Sequence, residues 1–348
     1  MRTEPLLSLT AASVALPDRH RAWHDWPLQD ALQPQMGDYE RAHLGLMADY
    51  GIAPARYSEA LRPFWQGESD AVFVEATGQT QSELAVAAVQ GLLSKQPDLP
   101  ARCGLAIYSH TAIDEDLVLS TPCRLISECG LTKAHALAIA QCQGASFYQA
   151  LAVAEASLRA DPALQAGLLV AGEKWLPPFP RLVGATALQS DAAVALLMQP
   201  STAVPDSLSA LVLLDHEFRQ FEQAYDPYSL LDPLADRSRL AAEIVGTVES
   251  LLQRRQLRAG DLALCLPQGL RAELRAEVAQ GLGLSAAQQW PIDANAYLGA
   301  ADTPYRLAKL LATLPQRPEL DGRLVLSWGL GLGGCTAAAL WQVRVAGE

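Results

Sequence analysis

Two kinds of apolar pattern alternate along the chain, and each predicts a different element of secondary structure. Short, continuous apolar runs are typical of buried strands, and they cover residues 7–15, 103–109, 136–141, 168–171, 192–197, 210–214, 262–266 and 324–327. Longer segments with apolar residues every three or four positions predict helices over 37–50, 80–94, 117–129, 145–160, 237–254, 270–282 and 305–313. Because strands alternate with helices, the sequence predicts an α/β fold with largely parallel sheets that helices cover.

An internal repeat divides the chain into two halves of similar build. Residues 88–110 align without gaps on residues 247–269, and several apolar positions coincide. The matched pairs are Val89 with Val248, Leu92 with Leu251, Leu93 with Leu252 and Leu105 with Leu264. Each copy predicts an amphipathic helix, a polar linker and a short buried strand. The proline-containing segment 199–206 is the expected join. We therefore predict an N-terminal half over 1–203, which carries the candidate nucleophile described below, and a C-terminal half over 204–348.

Composition and charge narrow the class of protein. The chain has 348 residues, half of them apolar, and a formal net charge of −12. Such an acidic chain is not expected to bind nucleic acid or the anionic surface of a membrane. No apolar run is long enough to span a bilayer, and no secretion signal opens the sequence. The six cysteines lack the spacing of a metal site, so we expect free thiols in the cytoplasm, no metal and no permanently bound cofactor.

The strongest chemical candidate is Cys142, which stands where a predicted strand gives way to a predicted helix. An apolar run ends just before this cysteine, and Gly144 leaves space beside the sulfur for an acyl group. The N-terminus of a helix stabilises a nearby anion, so it lowers the pKa of such a thiol and favours the nucleophilic thiolate. A small buried thiol that packs beneath a helix would show the same local pattern.

Cys142 lies in the first of four segments whose order along the chain is that of a known family. The segments are 141–144 (QCQG), 168–173 (LLVAGE), 181–195 (RLVGATALQSDAAVA) and 328–340 (WGLGLGGCTAAAL). They resemble the nucleophile turn, the following strand, a later Arg-to-Ala segment and the closing glycine loop of the ketoacyl synthase III branch of the thiolase superfamily. The resemblance implies a thiolase-like fold of two α/β/α/β/α halves with mixed, mostly parallel sheets, paired as a dimer across the strands before Cys142. It also implies a nucleophilic Cys142 and a thioester substrate on coenzyme A or on the phosphopantetheine of an acyl carrier protein.

Two positions depart from the family pattern, so its Cys-His-Asn triad is degenerate here. In the family, the histidine and the asparagine hydrogen-bond the thioester oxygen as it becomes an enolate during decarboxylation. Counting forward from Asp261 places Gln268 at the histidine position. Counting back from Pro304 places Tyr297 at the asparagine position, with a one-residue gap between the two counts. Both side chains can donate a hydrogen bond, but Gln268 cannot take up a proton or become a cation. The resemblance thus assigns catalytic positions to Cys142, Gln268 and Tyr297, and we expect decarboxylative condensation to be crippled.

Acyl transfer through a thiol also needs an oxyanion hole and a base. The backbone N–H groups of Cys142, Gly331 and Gly333 are the predicted oxyanion donors. His110 and Glu115, in the acidic loop that follows the strand over 103–109, are the candidate base. A solvated acidic turn with a surface histidine is the alternative interpretation of that loop.

Three functions are compatible with these residues. The first is an acyltransferase of specialised-metabolite biosynthesis, which moves an acyl group from a coenzyme A or acyl-carrier thioester through Cys142 to an oxygen, nitrogen or sulfur acceptor. The second is a non-catalytic accessory subunit that pairs with a complete ketosynthase-like chain. The third is a condensing enzyme whose site has been rebuilt around Gln268, Tyr297 and a base from the His110 loop. The sequence leaves a homodimer and a heterodimer as alternative assemblies.

Overall fold

The computed structural model describes residues 7–22, 72–112, 114, 120–175, 181–183, 186–220, 235–292, 297–331 and 333–347. The helix predicted over 37–50 and the candidate base Glu115 lie outside these residues. The described strands are β1 (Leu7–Ala15), β2 (Arg19–Ala22), β3 (Val72–Glu75), β4 (Cys103–Ser109), β5 (His135–Ile139), β6 (Ala166–Glu173), β7 (Leu182–Val183), β8 (Ala187–Leu188), β9 (Ala192–Pro200), β10 (Ala210–Gln220), β11 (Leu262–Leu266), β12 (Leu324–Gly331) and β13 (Cys335–Arg344).

Nine of these strands form one continuous sheet in the order β11-β12-β13-β10-β1-β9-β6-β4-β5. The strands of the C-terminal half thus lie at one end of the sheet and those of the N-terminal half at the other. Strand β1 joins the two groups, because it pairs with β9 on one side and with β10 on the other. The sheets that we expected in separate halves are therefore linked by backbone hydrogen bonds.

Three of the eight neighbouring strand pairs in this sheet are parallel and five are antiparallel. A mixed sheet is confirmed, with antiparallel pairs in the majority rather than the parallel pairs that we expected. The parallel pairs are β4–β5, β4–β6 and β11–β12, whose strands are joined by helical crossovers. Strands β12 and β13 form a hairpin, and only the short strands β7 and β8 are described between β6 and β9, so these connections make antiparallel pairs. The other antiparallel pairs, β1–β9, β1–β10 and β10–β13, bring together strands that are far apart in the chain.

Helices cover the sheet in three layers. They are α1 (Gln81–Leu93), α2 (Leu99–Arg102), α3 (Thr121–Glu128), α4 (Ser146–Ala160), α5 (Ala235–Arg254), α6 (Ala272–Leu282) and α7 (Asp302–Thr313). Helices α4 and α7 share one apolar core with strands of both halves, whereas α1 and α3 cover the outer face of the first half and α5 and α6 that of the second. The layers therefore alternate as predicted. Within the described part of the chain, no helix is both long and apolar enough to cross a membrane.

Local signals place several of these elements where the sequence predicts them. Strands β1, β4 and β11 have the predicted bounds, and helices α1 and α4 differ from prediction by one residue at most at each end. Helix α1 begins after Thr80, whose hydroxyl accepts from the Glu83 N–H while the Glu83 carboxylate accepts from the Thr80 N–H. The two copies of the repeat have the same order, a long helix (α1 or α5) followed by a buried strand (β4 or β11).

Candidate active site

Cys142 lies in a tight turn between strand β5 and helix α4. It directly precedes a short 3₁₀ turn, Gln143–Ala145, which leads into the helix. The residues on either side, Gln141 and Gln143, have φ angles of 68° and 45°. This left-handed backbone costs a non-glycine residue roughly 1–2 kcal/mol, so the turn needs support from its surroundings. The half-buried thiol is thus held at a strand-to-helix turn, where the sequence predicted it.

The support for this turn comes from the C-terminal half and converges on Gly144. A Cβ atom built on Gly144 would lie 2.8 Å from the Leu330 carbonyl oxygen, and closer still to the amide nitrogen of Gln268 and the hydroxyl of Tyr297. A glycine is therefore required here by close approach. We expected the missing side chain to leave space for an acyl group, but Gln268 and Tyr297 fill this face of Gly144.

Gln268 is fully buried and uses both ends of its amide on the main chain. Its Nε2 donates to the Gly144 carbonyl oxygen at 2.9 Å and lies 3.4 Å from the Thr303 hydroxyl. Its Oε1 accepts from the Leu330 N–H at 2.7 Å. The hydrogen bond that we expected Gln268 to offer a substrate is thus already made inside the protein.

Tyr297 is also fully buried and makes a second bridge between the same two segments. Its hydroxyl accepts from the Gly144 N–H at 2.9 Å and donates to the Leu330 carbonyl oxygen at 3.1 Å. Burial raises the pKa of Tyr297 well above its ordinary value, so the hydroxyl stays protonated. Gln268 and Tyr297 therefore clamp the Cys142 turn onto the end of strand β12.

Sequence reasoning missed Asp302, which positions both clamping residues. This buried carboxylate accepts from the N–H that follows Gln268, that of Gly269, at 3.1 Å, and from the N–H that follows Tyr297, that of Leu298, at 3.0 Å. The Nε of Arg306 lies 3.3 Å from the same carboxylate and balances its charge. The sequence pattern that could have indicated Asp302 is an acidic residue that follows the apolar run 298–301 and opens a helix.

Cys335 is the second residue of the site that sequence reasoning missed. This buried residue opens strand β13, and its sulfur lies 3.8 Å from the Cys142 carbonyl oxygen. A hydrogen bond from the Cys335 thiol lowers the pKa of Cys142 to about 7, although burial acts in the opposite direction. The neighbouring thiolate and burial raise the pKa of Cys335. The contact that favours the Cys142 thiolate is thus a second thiol. The effect of the helix terminus remains a prediction, and a 3₁₀ turn separates Cys142 from the start of helix α4.

The candidate base His110 directly follows strand β4, beside the Cys142 turn, but its ring contacts other groups. Its Nδ1 lies 2.7 Å from the Ala112 carbonyl oxygen, and the ring stacks on Tyr108 with centroids 5.0 Å apart. Burial lowers the pKa of His110, so the imidazole is neutral near pH 7. Its backbone carbonyl, rather than its ring, approaches the site through the Ser146 hydroxyl at 3.5 Å. The structure thus places His110 near the turn without a contact between its imidazole and the Cys142 sulfur.

The predicted oxyanion donors lie in different surroundings. The Cys142 N–H donates to the Ser146 hydroxyl at 3.2 Å. Gly331 packs directly against the Cys142 carbonyl group, where a Cβ atom would collide with it. Gly333 is exposed at the turn between β12 and β13. The structure therefore brings Gly331 to the nucleophile turn, gives the Cys142 N–H an internal partner and leaves Gly333 facing solvent.

A buried carboxylate, Glu173 at the end of strand β6, ties the His110 loop to the Tyr297 turn. It accepts from the Ala112 N–H at 3.0 Å and from the Ala300 N–H at 3.1 Å. Burial raises the pKa of Glu173 to about 7, and the hydrogen bonds from the two N–H groups act in the opposite direction. Among the residues that the structure describes, no three His, Cys, Asp or Glu side chains come together as metal ligands would.

Comparisons with known proteins agree with this architecture. No family model matches the sequence, and no curated protein matches it. Among solved structures, the acyltransferase ChlB3 superposes with a TM-score of 0.70 at 18% identity and 98% coverage of both chains. FabH of Pseudomonas aeruginosa PAO1, a 3-oxoacyl-(acyl carrier protein) synthase III, gives 0.67 at 19% identity, with 98% of this chain and 99% of FabH covered. An OleA variant from Xanthomonas campestris gives 0.70 at 16% identity, with 97% and 98% covered. The chain therefore has the thiolase-like fold of these ketoacyl synthase III and OleA structures.

Proposed function

We propose that this protein is an acyltransferase that uses Cys142 as its nucleophile and does not carry out decarboxylative condensation. The observation that carries the proposal is the internal use of Gln268 and Tyr297. Both side chains form hydrogen bonds with the backbone groups of Gly144 and Leu330. A condensing enzyme of this fold needs donors at these positions for the enolate, whereas acyl transfer through a thiol does not. Loss of one such donor typically lowers a rate about 100- to 1,000-fold.

The proposed reaction has two transfers, each through a tetrahedral intermediate. The Cys142 thiolate attacks the carbonyl carbon of an acyl thioester, and the carrier thiolate leaves, takes up a proton and diffuses away. An oxygen, nitrogen or sulfur nucleophile of the acceptor then attacks the acyl-cysteine and releases the Cys142 thiolate, while the acceptor proton passes to solvent or a base. The N–H groups of Gly331 and Gly333 are the proposed donors to the oxyanion. The Cys142 N–H would join them only by leaving the Ser146 hydroxyl.

The proposed acyl donors are thioesters of coenzyme A or of an acyl carrier protein. This assignment rests on the fold shared with a 3-oxoacyl-(acyl carrier protein) synthase III and with an acyltransferase. Strand β5, at one edge of the sheet and directly before Cys142, is the proposed dimer contact, with an identical or a ketosynthase-like chain. Because the chain is acidic, an acidic carrier would need a local basic patch, and its binding should weaken as salt increases.

The test is intact-protein mass spectrometry after incubation with a panel of acyl-coenzyme A and acyl-carrier thioesters. We expect a covalent acyl adduct on the wild-type chain and none on Cys142→Ala. Cys123→Ala, which removes an exposed cysteine of helix α3, is the matched control and should acylate like the wild type. A malonyl thioester should acylate without release of carbon dioxide.

Two results would contradict the proposal. The absence of an adduct with every donor, together with co-purification of a complete ketosynthase-like chain, would favour the accessory subunit. Release of carbon dioxide coupled to formation of a carbon–carbon bond would favour a rebuilt condensing enzyme.

A further inference from the structure

A second thiol, Cys335, contacts the nucleophile in the folded protein although 193 positions separate the two cysteines. The Cys335 sulfur lies 3.8 Å from the Cys142 carbonyl oxygen and 4.0 Å from that of Gly331. Its thiol also lowers the pKa of the neighbouring Cys142 thiol. The Cys335 side chain is 6% exposed, so bulk water does not compete for these contacts. Cys335 is therefore built into the wall of the site rather than lying at the surface.

The glycines of the β12–β13 hairpin make this contact possible. Gly331 stands opposite Cys335 in the hairpin register, and a side chain there would collide with both the Cys142 carbonyl and the Cys335 sulfur. Gly334 has a φ angle of 105° and donates its N–H to the Gly331 carbonyl at 3.0 Å, which closes the turn. The hairpin thus places the Cys335 thiol beside Cys142. It needs glycine at position 331 for close approach and at position 334 for the backbone conformation.

The titratable groups packed around this turn are committed to other partners. The His110 ring is held at the Ala112 carbonyl, and the Tyr297 hydroxyl is held between Gly144 and Leu330. Glu173 accepts from two backbone N–H groups, and Asp302 does the same beside a buried arginine. None of these described contacts places an imidazolium or an ammonium group on the nucleophile sulfur.

We propose that Cys335 is a positioning residue whose thiol proton stabilises the Cys142 thiolate, in the role that an imidazole would otherwise have. The Cys335 thiol has one proton, and two carbonyl oxygens lie within 4.0 Å of its sulfur. The Cys142 sulfur is the third acceptor that we propose for it. A charged sulfur is the strongest acceptor of the three, because hydrogen bonds to ionised groups are roughly twice as strong as neutral ones. The proton therefore turns to Cys142 when that thiol ionises and to a carbonyl oxygen when it does not. The benefit to acyl transfer rests on the proposed function, but the effect on the thiolate does not.

The experiment measures the ionisation of Cys142 directly and needs no acyl substrate. The chain is kept reduced and alkylated with iodoacetamide between pH 5.5 and 9.5, and the rate at Cys142 is read from its peptide by mass spectrometry. We expect a midpoint near pH 7 in the wild type. Cys335→Ala should move the midpoint toward the ordinary cysteine value and slow alkylation at pH 7 by roughly ten- to fiftyfold. Cys335→Ser, which keeps a donor, should restore part of the shift.

Controls separate this role from a packing role and from the proposed function. Cys129→Ala removes another buried cysteine, on the far side of the first half, and should leave the Cys142 profile unchanged. An unshifted midpoint in Cys335→Ala, or equal profiles for the alanine and serine variants, would overturn the role of Cys335. If the midpoint shifts but no thioester acylates the wild type, the thiolate role stands and the proposed acyl transfer fails.

Discussion

At the scale of single residues, the Cys142 turn depends on the buried amide of Gln268. The Gln268 side chain offers one strong acceptor and two donors at fixed geometry, and it cannot change its charge. Both ends bind the main chain, at Gly144 and Leu330. The Gln268 side chain therefore holds two chain segments together.

A substitution at this position tests the structural role. Gln268→Leu keeps the approximate volume of the side chain but leaves the Gly144 carbonyl and the Leu330 N–H buried without a partner. Each such group costs about 1–3 kcal/mol, so we expect the free energy of unfolding to fall by roughly 3 kcal/mol. Urea denaturation checks this value. Gln280→Leu, the same change at an exposed position of helix α6, should alter it by less than about 0.5 kcal/mol, and an equal loss in both variants would refute the clamp.

At the scale of elements, the turn between β5 and α4 is the part of the molecule that carries strain. Gln141 and Gln143 hold left-handed backbone conformations on either side of Cys142. Such conformations persist at functional sites when the surroundings determine them. Here the surroundings are the two bridges from Gln268 and Tyr297 to Gly144, so the geometry of the Cys142 turn depends on side chains from the other half of the chain.

The turn should not tolerate a methyl group at Gly144. In Gly144→Ala the new Cβ would enter the space of both clamping side chains and of the Leu330 carbonyl, where backbone cannot move away cheaply. We expect a loss of about 1–3 kcal/mol in stability, together with loss of Cys142 acylation and alkylation at neutral pH. Gly260→Ala is the matched control, because no atom lies within 4 Å of the position that its new methyl group would occupy. Wild-type stability and reactivity in Gly144→Ala would show that the bridges do not shape the turn.

At the scale of the whole molecule, the site forms where the two halves of the chain meet. The first half supplies the nucleophile turn, strand β4 and Glu173, and the second supplies the clamping residues, Asp302 and the β12–β13 hairpin. Glu173 carries a link between the halves, since it accepts from the N–H groups of Ala112 and Ala300. Because the carboxylate of Glu173 is buried, we expect the free energy of unfolding of the protein to depend on pH.

The sign of this dependence follows from the raised pKa of Glu173, about 7 in the folded protein against 4.5 for an ordinary carboxyl. The folded state binds the proton more tightly than the unfolded state, so the contribution is fully present below pH 4.5 and is lost as pH rises to about 7. Relative to Glu173→Gln, which cannot ionise, the wild type should lose roughly 3 kcal/mol of stability between pH 4.5 and 8. Urea denaturation across this range tests the difference. The exposed Glu249→Gln serves as control, and a pH-independent difference for Glu173→Gln would contradict the assignment.

Much of the fold was determined by the sequence itself. The bounds of β1, β4 and β11, the helix after Cys142 and the repeated helix–strand unit all follow from apolar periodicity, which is a local property of the chain. The position of Cys142 at a strand-to-helix turn follows from the same pattern. The sequence also predicted that Gln268 stands where the resembling family has a histidine. This prediction needed only a count of residues along the segment.

Tertiary structure alone decided how these residues meet. The contact between Cys142 and Cys335, the two bridges to Gly144 and the link from Asp302 to the turns of Gln268 and Tyr297 join segments that are far apart in the chain or separated by a turn. Periodicity identifies which face of an element is buried, but it does not select one partner among the many apolar or polar groups on a facing element. That choice depends on the packing of strands and helices from both halves, and it holds the Cys142 turn between Gln268, Tyr297 and the thiol of Cys335.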